Sequence, residues 1–199
     1  MIVTTAAAGQ RFSGAAGVSS VEHRVDAGSG VEISGGPLIH AAVHAVIGGR
    51  WSAGLEAMAG ALSAEGSASD RDLGELRGTL GFRATSWLRL EAGYGTRMYS
   101  APIANQRWNA ASLAAEGAFT FANAQLAGTG RVAWLPIVTV TDLDSPDLAF
   151  AVAAGVEYRP GALTFSLSYW LERFDFPPAA GETRSEQLSG LMLRATWSP

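Results

Sequence analysis

The stretch from Glu75 to Ser100 limits the fold more than any other part of the chain. Leu76, Leu80 and Phe82 fall on one parity, and Glu75, Arg77, Thr79 and Arg83 on the other. After Ala84-Thr85-Ser86 the alternation resumes: Leu88, Leu90, Ala92, Tyr94 and Met98 oppose Arg89, Glu91, Gly93, Gly95, Arg97 and Tyr99. A period of two is the signature of a β-strand with two different faces. Two such runs around a short polar turn make a hairpin. The unit recurs about five times along the chain, and no segment shows the 3.6-residue period of an amphipathic helix.

In order, residues 1–10 read as a tail and 11–197 as one domain. A first strand covers Arg11–Val25, with its facing open, and a Gly/Ser-rich loop follows over Asp26–Gly36. Further strands fall at Leu38–Ile47, Trp51–Ser63, Glu75–Arg83, Trp87–Ser100, Asn109–Phe121, Leu126–Leu135, Asp147–Arg159, Ala162–Asp175 and Glu186–Trp197. Short turns at Gly48-Gly49-Arg50, Ala84-Thr85-Ser86, Ala122-Asn123-Ala124 and Pro160-Gly161 alternate with longer connections, among them the Pro-rich Phe176–Ser185. Pro136 lacks the N–H a ladder needs and marks a bulge or a strand end. The expected fold is all-β, a ten-stranded antiparallel up-and-down transmembrane β-barrel, with eight strands as the alternative. Closing the meander removes both sheet edges.

Composition decides what such a barrel can be. No run approaches the roughly 18 apolar residues of a spanning helix, so a membrane is crossed only with strands. The net charge of −4 argues against nucleic acid as a partner. There is no cysteine, hence no disulfide and no thiolate metal site. All fourteen cations are arginine, so the lysines that usually guard wet strand faces are missing. The opening Met1–Ala8 has neither the basic region nor the apolar core of a signal peptide. Export would mean that the signal has already been removed.

Alternation alone leaves open whether the apolar face points in or out. Three features point it outward. The polar face is mostly Gly, Ala and Ser, with about one Glu per strand (Glu56, Glu75, Glu91, Glu116, Glu157, Glu172) and the arginines Arg77, Arg89, Arg97, Arg131 and Arg194. That is sparse for a wet surface and suits a confined lumen in which every charge needs a partner. With Arg83 opposite Trp87, Arg77 lies diagonal to Glu91 and Glu75 to Arg97. Trp51, Phe82, Phe119, Phe121, Tyr158 and Trp197 gather near the short turns, as an interfacial aromatic girdle does. Finally, the long connections all fall at one end, and ten strands put both termini at the other.

The pattern over residues 11–197 resembles the small outer-membrane β-barrel proteins of Gram-negative-type bacteria. The apolar last strand, Leu191-Met192-Leu193-Arg194-Ala195-Thr196-Trp197, is similar to the assembly signal that ends such barrels, although Ser198 and Pro199 follow its aromatic residue. The resemblance implies the outer membrane as the location, with its lipid and the barrel assembly machinery as partners. The oligomeric state stays open.

Candidate chemistry is sparse. His40 and His44 share a strand face about 13 Å apart, too far for one metal ion without other ligands. His23 opposite His40, with Glu56 on the next strand, is the one arrangement that would approach a metal site. Lumenal histidines in a hydrogen-bond network are the plainer expectation. Asp142, Asp144 and Asp147, with Asp70, Asp72, Glu182 and Glu186, form an acidic rim without the glycine and final glutamate of a calcium loop. Ser166 and Ser168 have no diagnostic partner spacing. No cofactor and no metal are expected. The expected role is a barrel with a polar, largely plugged lumen: structural, interacting, or porin-like for a narrow solute. A lipid-modifying outer-membrane enzyme that uses a histidine of strand one or two, and a soluble lipocalin-like barrel, are the alternatives.

Overall fold

The computed structural model describes residues 11–28, 30–64, 69–101, 105–121, 125–179 and 182–198. The tail 1–10 and the turn residues 122–124 lie outside the described residues. Ten strands are β1 (Arg11–Asp26), β2 (Val31–Ile47), β3 (Trp51–Ala64), β4 (Arg71–Arg83), β5 (Leu88–Ser100), β6 (Asn105–Thr120), β7 (Leu126–Val140), β8 (Leu148–Tyr158), β9 (Leu163–Ala179) and β10 (Glu182–Trp197). Each pairs antiparallel with its sequence neighbours, and β1 closes the cylinder on β10, from Gly14 opposite Trp197 to Asp26 opposite Ser185.

Several strands are longer than the sequence suggests, and always at the same end. β2 starts at Val31 rather than Leu38, β6 at Asn105 rather than Asn109, and β10 at Glu182 rather than Glu186. β7 runs on to Val140 and β9 to Ala179. The expected long loop at Asp26–Gly36 is therefore a hairpin whose connection is only 27–30, and the Pro-rich stretch after Phe176 is mostly strand. The two ends of the barrel do differ, but more by the protrusion of the strands than by loop length. Pro136 lies at a register shift: β7 accommodates an extra residue between the pairs Leu113–Trp134 and Ala111–Ile137. Both Pro136 and Ile137 consequently face outward.

The exterior settles the orientation of the faces. Leu80, Leu90, Val152 and Leu167 are 51%, 46%, 38% and 40% exposed, and many other large apolar side chains share that outward surface. So continuous an apolar exterior is stable only against hydrocarbon. On β3 the band runs from Trp51 to Ala61, about ten steps of ~3.3 Å at a tilt near 40°, or about 25 Å of height. The girdle residues Trp51, Phe119, Phe121, Tyr158 and Trp197 are exposed at the turn end; Phe82 is half-buried against Trp51, ring centroids 5.0 Å apart. Phe119 also covers Gly128 of the next strand, where an added Cβ would come within 2.4 Å of its ring.

Beyond the band the wall inverts its polarity. Outward positions become Ser20, Glu22 and Arg24 on β1, Asp72 on β4, Asn105 and Arg107 on β6, and Ser185 and Gln187 on β10. Inward positions become Val21, Leu38, Leu62, Leu73, Tyr99, Trp108, Val138, Phe174, Phe176 and Leu188. The lipid-embedded half is apolar outside and polar inside, and the protruding half is the reverse, as in a soluble barrel. Depth should therefore govern tolerance to charge. Val152→Arg, on the lipid-facing wall, is expected to cost about 2–4 kcal/mol, and Ser20→Arg, an exposed position beyond the band, no more than about 1. Urea unfolding of the two variants in lipid vesicles measures the difference.

Candidate functional site

The lumen is where the fold gathers its charged side chains, and it is filled in two tiers. The lower tier is made by strand parity: Glu56 on β3, Glu75 and Arg77 on β4, Arg89, Glu91 and Arg97 on β5, Glu116 on β6, Arg131 on β7, Glu172 on β9 and Arg194 on β10 all face inward. Its centre is a four-residue cluster. Arg77 Nη2 donates to Glu75 at 2.7 Å and to Glu172 at 2.8 Å, while Arg97 holds Glu75 at 2.5 Å and also Glu172. The Arg97 and Glu172 side chains are each 6% exposed, so two cations and two anions neutralise one another out of bulk water.

The remaining pairs lie nearer the turn end and are more open. Arg89 bridges Glu91 and Glu116 at 2.6 and 2.7 Å, Arg131 donates to Glu91 at 3.2 Å, and Arg194 pairs with Glu56. Glu157 stands apart, held by Arg159 at 2.5 Å, a partner the sequence pattern did not suggest. The pairing within the hairpin also differs from expectation. Arg83 faces Arg89 rather than Trp87, because 84–87 all belong to the turn. Glu75 is thereby directly opposite Arg97, and Arg77 reaches across the lumen to Glu172 rather than to Glu91.

The histidines split between the tiers. His40 Nε2 lies 2.8 Å from Ser19 Oγ, and both residues are buried. His44 sits against Gly54, where an added Cβ would come within 2.6 Å of Nδ1. His23 does not meet His40: its β2 neighbour is Ser34, and Gly17 is the residue opposite His40. It belongs to the upper tier, with Nε2 at 3.3 Å from Glu186 and its ring stacked at 4.8 Å on Tyr99. Arg71 Nη1 approaches Nδ1 at 3.5 Å, so Nε2 carries the hydrogen toward Glu186. Burial holds this imidazole below its ordinary pKa. Glu186, expected on a wet acidic rim, is buried here and is also held by Arg184.

The upper tier is otherwise an apolar plug, which the sequence pattern did not reveal. Leu38, Leu62, Leu73 and Leu188 are at most 2% exposed. Trp108 lies at its centre, with ring centroids 4.9 Å from Phe174, 5.9 Å from Phe176 and 6.4 Å from Tyr99. Between plug and charge cluster, bounded by Arg97, Glu172, Trp108 and Leu135, remains a cavity of about 30 Å³. That is enough to hold water.

No family model matches the sequence, and no curated protein matches it either. Solved structures do. The outer membrane protease OmpT from Escherichia coli superposes with a TM-score of 0.72 over 95% of this chain and 97% of that one, at 9% identity. This chain has an outer-membrane β-barrel fold. The translocator domain of the autotransporter NalP from Neisseria meningitidis matches the same barrel at a TM-score of 0.52, over 95% and 88% of the two chains, at 12% identity. At these identities the likeness is one of architecture. The contents of this outer-membrane barrel, not the shape of its wall, must decide what it does.

Proposed function

We propose that this chain is a closed outer-membrane barrel: a membrane-anchored structural and interaction protein that presents the protruding half of its wall to partners and conducts no sizeable solute. The observation that carries this reading is the stacking of two seals. The Arg77–Arg97–Glu75–Glu172 cluster narrows the lumen by mutual charge pairing, and the Trp108-centred plug closes it by close packing. A narrow channel would need a continuous wet path, and the gap at the junction of the tiers is water-sized. Outer-membrane lipid around the apolar band and the barrel assembly machinery at the last strand are the partners this reading implies.

The lipid-modifying alternative has its best support in the hydrogen bond between Ser19 and His40. Both side chains are buried beside the plug, and among the described residues no carboxylate hydrogen-bonds the imidazole, so a nucleophile there has neither access nor an orienting acid. Planar-bilayer recording tests the closed-barrel reading. The refolded protein should show no stable conductance step, and a steady open pore would overturn it.

A further inference from the structure

Above the apolar plug, three strands meet in one polar contact. His23 on β1, Glu186 on β10 and Arg71 on β4 each lie one inward position beyond a plug residue (Val21, Leu188 and Leu73), toward the protruding end. Arg71 starts from β4, yet its Nη1 lies 3.5 Å from His23 Nδ1 on β1, so its side chain reaches past β3 and β2. It is loosely held there. Its Nη2 meets Glu32 at 3.4 Å, a carboxylate that is 60% exposed, and its buried Nε has no hydrogen-bond partner among the described residues. The buried Ser34 hydroxyl, opposite His23 on β2, has none among them either.

The two ring nitrogens of His23 meet opposite surroundings. Nε2 donates toward Glu186 Oε2 at 3.3 Å, whereas the Nδ1 lone pair faces a cation. A second proton would make Nδ1 a donor aimed at a donor, with two positive charges side by side. Like charges this close disfavour the charged ring. The other groups around it do not offset that cost. Glu186 already gives its second oxygen to Arg184 of the same strand, and Arg97 of β5 adds a further positive charge. Glu32 of β2 is exposed, and Glu22 and Arg24, the neighbours on β1, face outward. Tyr99 of β5, stacked on the ring, is uncharged until strongly alkaline pH. Burial opposes the proton as well. The ring is therefore neutral at neutral pH and charges only in acid, below its ordinary range. The unfolded chain binds that proton more readily, so a falling pH works against the arrangement seen here.

We infer that Arg71 is an acid-released strap across the protruding mouth of the barrel. While the His23 ring is neutral, its Nδ1 holds the guanidinium over the plug. When the ring gains a proton, Arg71 swings outward to Glu32 and the exposed Asp70 and Asp72, and the Ser34 position beneath it opens to solvent. The charged ring keeps Glu186. Arg71 is the first residue of β4, so the movement needs only side-chain rotation and leaves the strand ladder intact. The strap depends on the upper tier and not on whether the lumen conducts, so it and the closed-barrel reading fail independently.

The chain has no cysteine, so a single Ser34→Cys thiol reports access without background. The refolded, detergent-solubilised barrel is labelled with a water-soluble pyridyl disulfide between about pH 7 and about pH 4, the range that spans imidazole titration. Dividing each rate by that of an exposed Ser63→Cys thiol at the same pH removes the pH dependence of the thiol chemistry. The ratio should rise severalfold in acid. With His23→Asn, whose amide oxygen accepts in place of Nδ1 and gains no proton, it should stay flat. With Arg71→Ala it should be high throughout. A gel shift between unheated and boiled samples establishes that each variant is folded. Nitrogen NMR of the histidine rings gives a second reading without the thiol. The His23 signal, assigned by its loss in His23→Asn, should titrate in acid, and Arg71→Ala should raise its midpoint by about one pH unit. A flat labelling ratio with His23 in place, a rise that survives His23→Asn, or a midpoint unmoved by Arg71→Ala would overturn the strap.

Discussion

Replacing Glu172 with leucine is expected to destabilise the barrel by about 3–5 kcal/mol, among the largest effects of any single substitution. The carboxylate is 6% exposed and receives both Arg77 and Arg97. Removing it leaves two guanidinium groups on the single remaining carboxylate, Glu75, inside the lipid-embedded part of the lumen. Neither arginine can neutralise itself by losing a proton. The diagnostic comparison is the double variant Glu172→Leu with Arg97→Leu. Arg77 and Glu75 remain paired there, no charge is orphaned, and most of the lost stability should return. Urea titration in lipid vesicles reads both variants. If Glu172→Leu unfolds at the wild-type midpoint, the cluster is not a coupled seal.

Opening the plug should convert a silent barrel into a conducting one. Trp108 packs against Tyr99, Phe174 and Phe176, so Trp108→Ala together with Phe174→Ala removes the middle of the upper tier. Each truncation on its own costs about 3–5 kcal/mol as a cavity. The ladder of ten strands is untouched, and the protein should still show heat-modifiable migration on a gel. Planar-bilayer recordings should then show small, salt-dependent steps that the wild type lacks. The charged tier beneath persists, so the steps stay well below those of an open porin. A silent double variant would mean that the lower tier seals the lumen alone.

The number of strands, their up-and-down order and the outward greasy face were legible in the sequence, because within the bilayer one parity is apolar over long runs such as Trp51–Ala61. So was most of the charge network, since Glu and Arg on the minority face of a membrane strand have nowhere to go but inward. The protruding half was hidden for a physical reason. Where the wall leaves the bilayer, the apolar residues change parity. On β2, Ile39 and Val43 face out but Leu38 faces in; on β10, Leu191 and Leu193 face out but Leu188 faces in. A change of phase in the middle of a strand looks like the end of a pattern. With Gly35 and Gly36 nearby on β2, or Pro177 and Pro178 on β9, it reads as loop. Trp108, Phe174 and Phe176 thus fell at or beyond the expected strand ends. The His23–Glu186 pair was out of reach because it joins the first strand to the last, a neighbourhood that depends on closure.

That closure has a consequence in time. Nine of the ten strand pairings join neighbours in sequence, yet the tenth joins β1 to β10, at the far end of the sequence. Until Trp197 has been made, the outer rim of β1 offers a row of unanswered N–H and C=O groups that hydrocarbon will not tolerate. A chain truncated before β10 is therefore expected to find no stable inserted state, and closure of the cylinder to come late in folding.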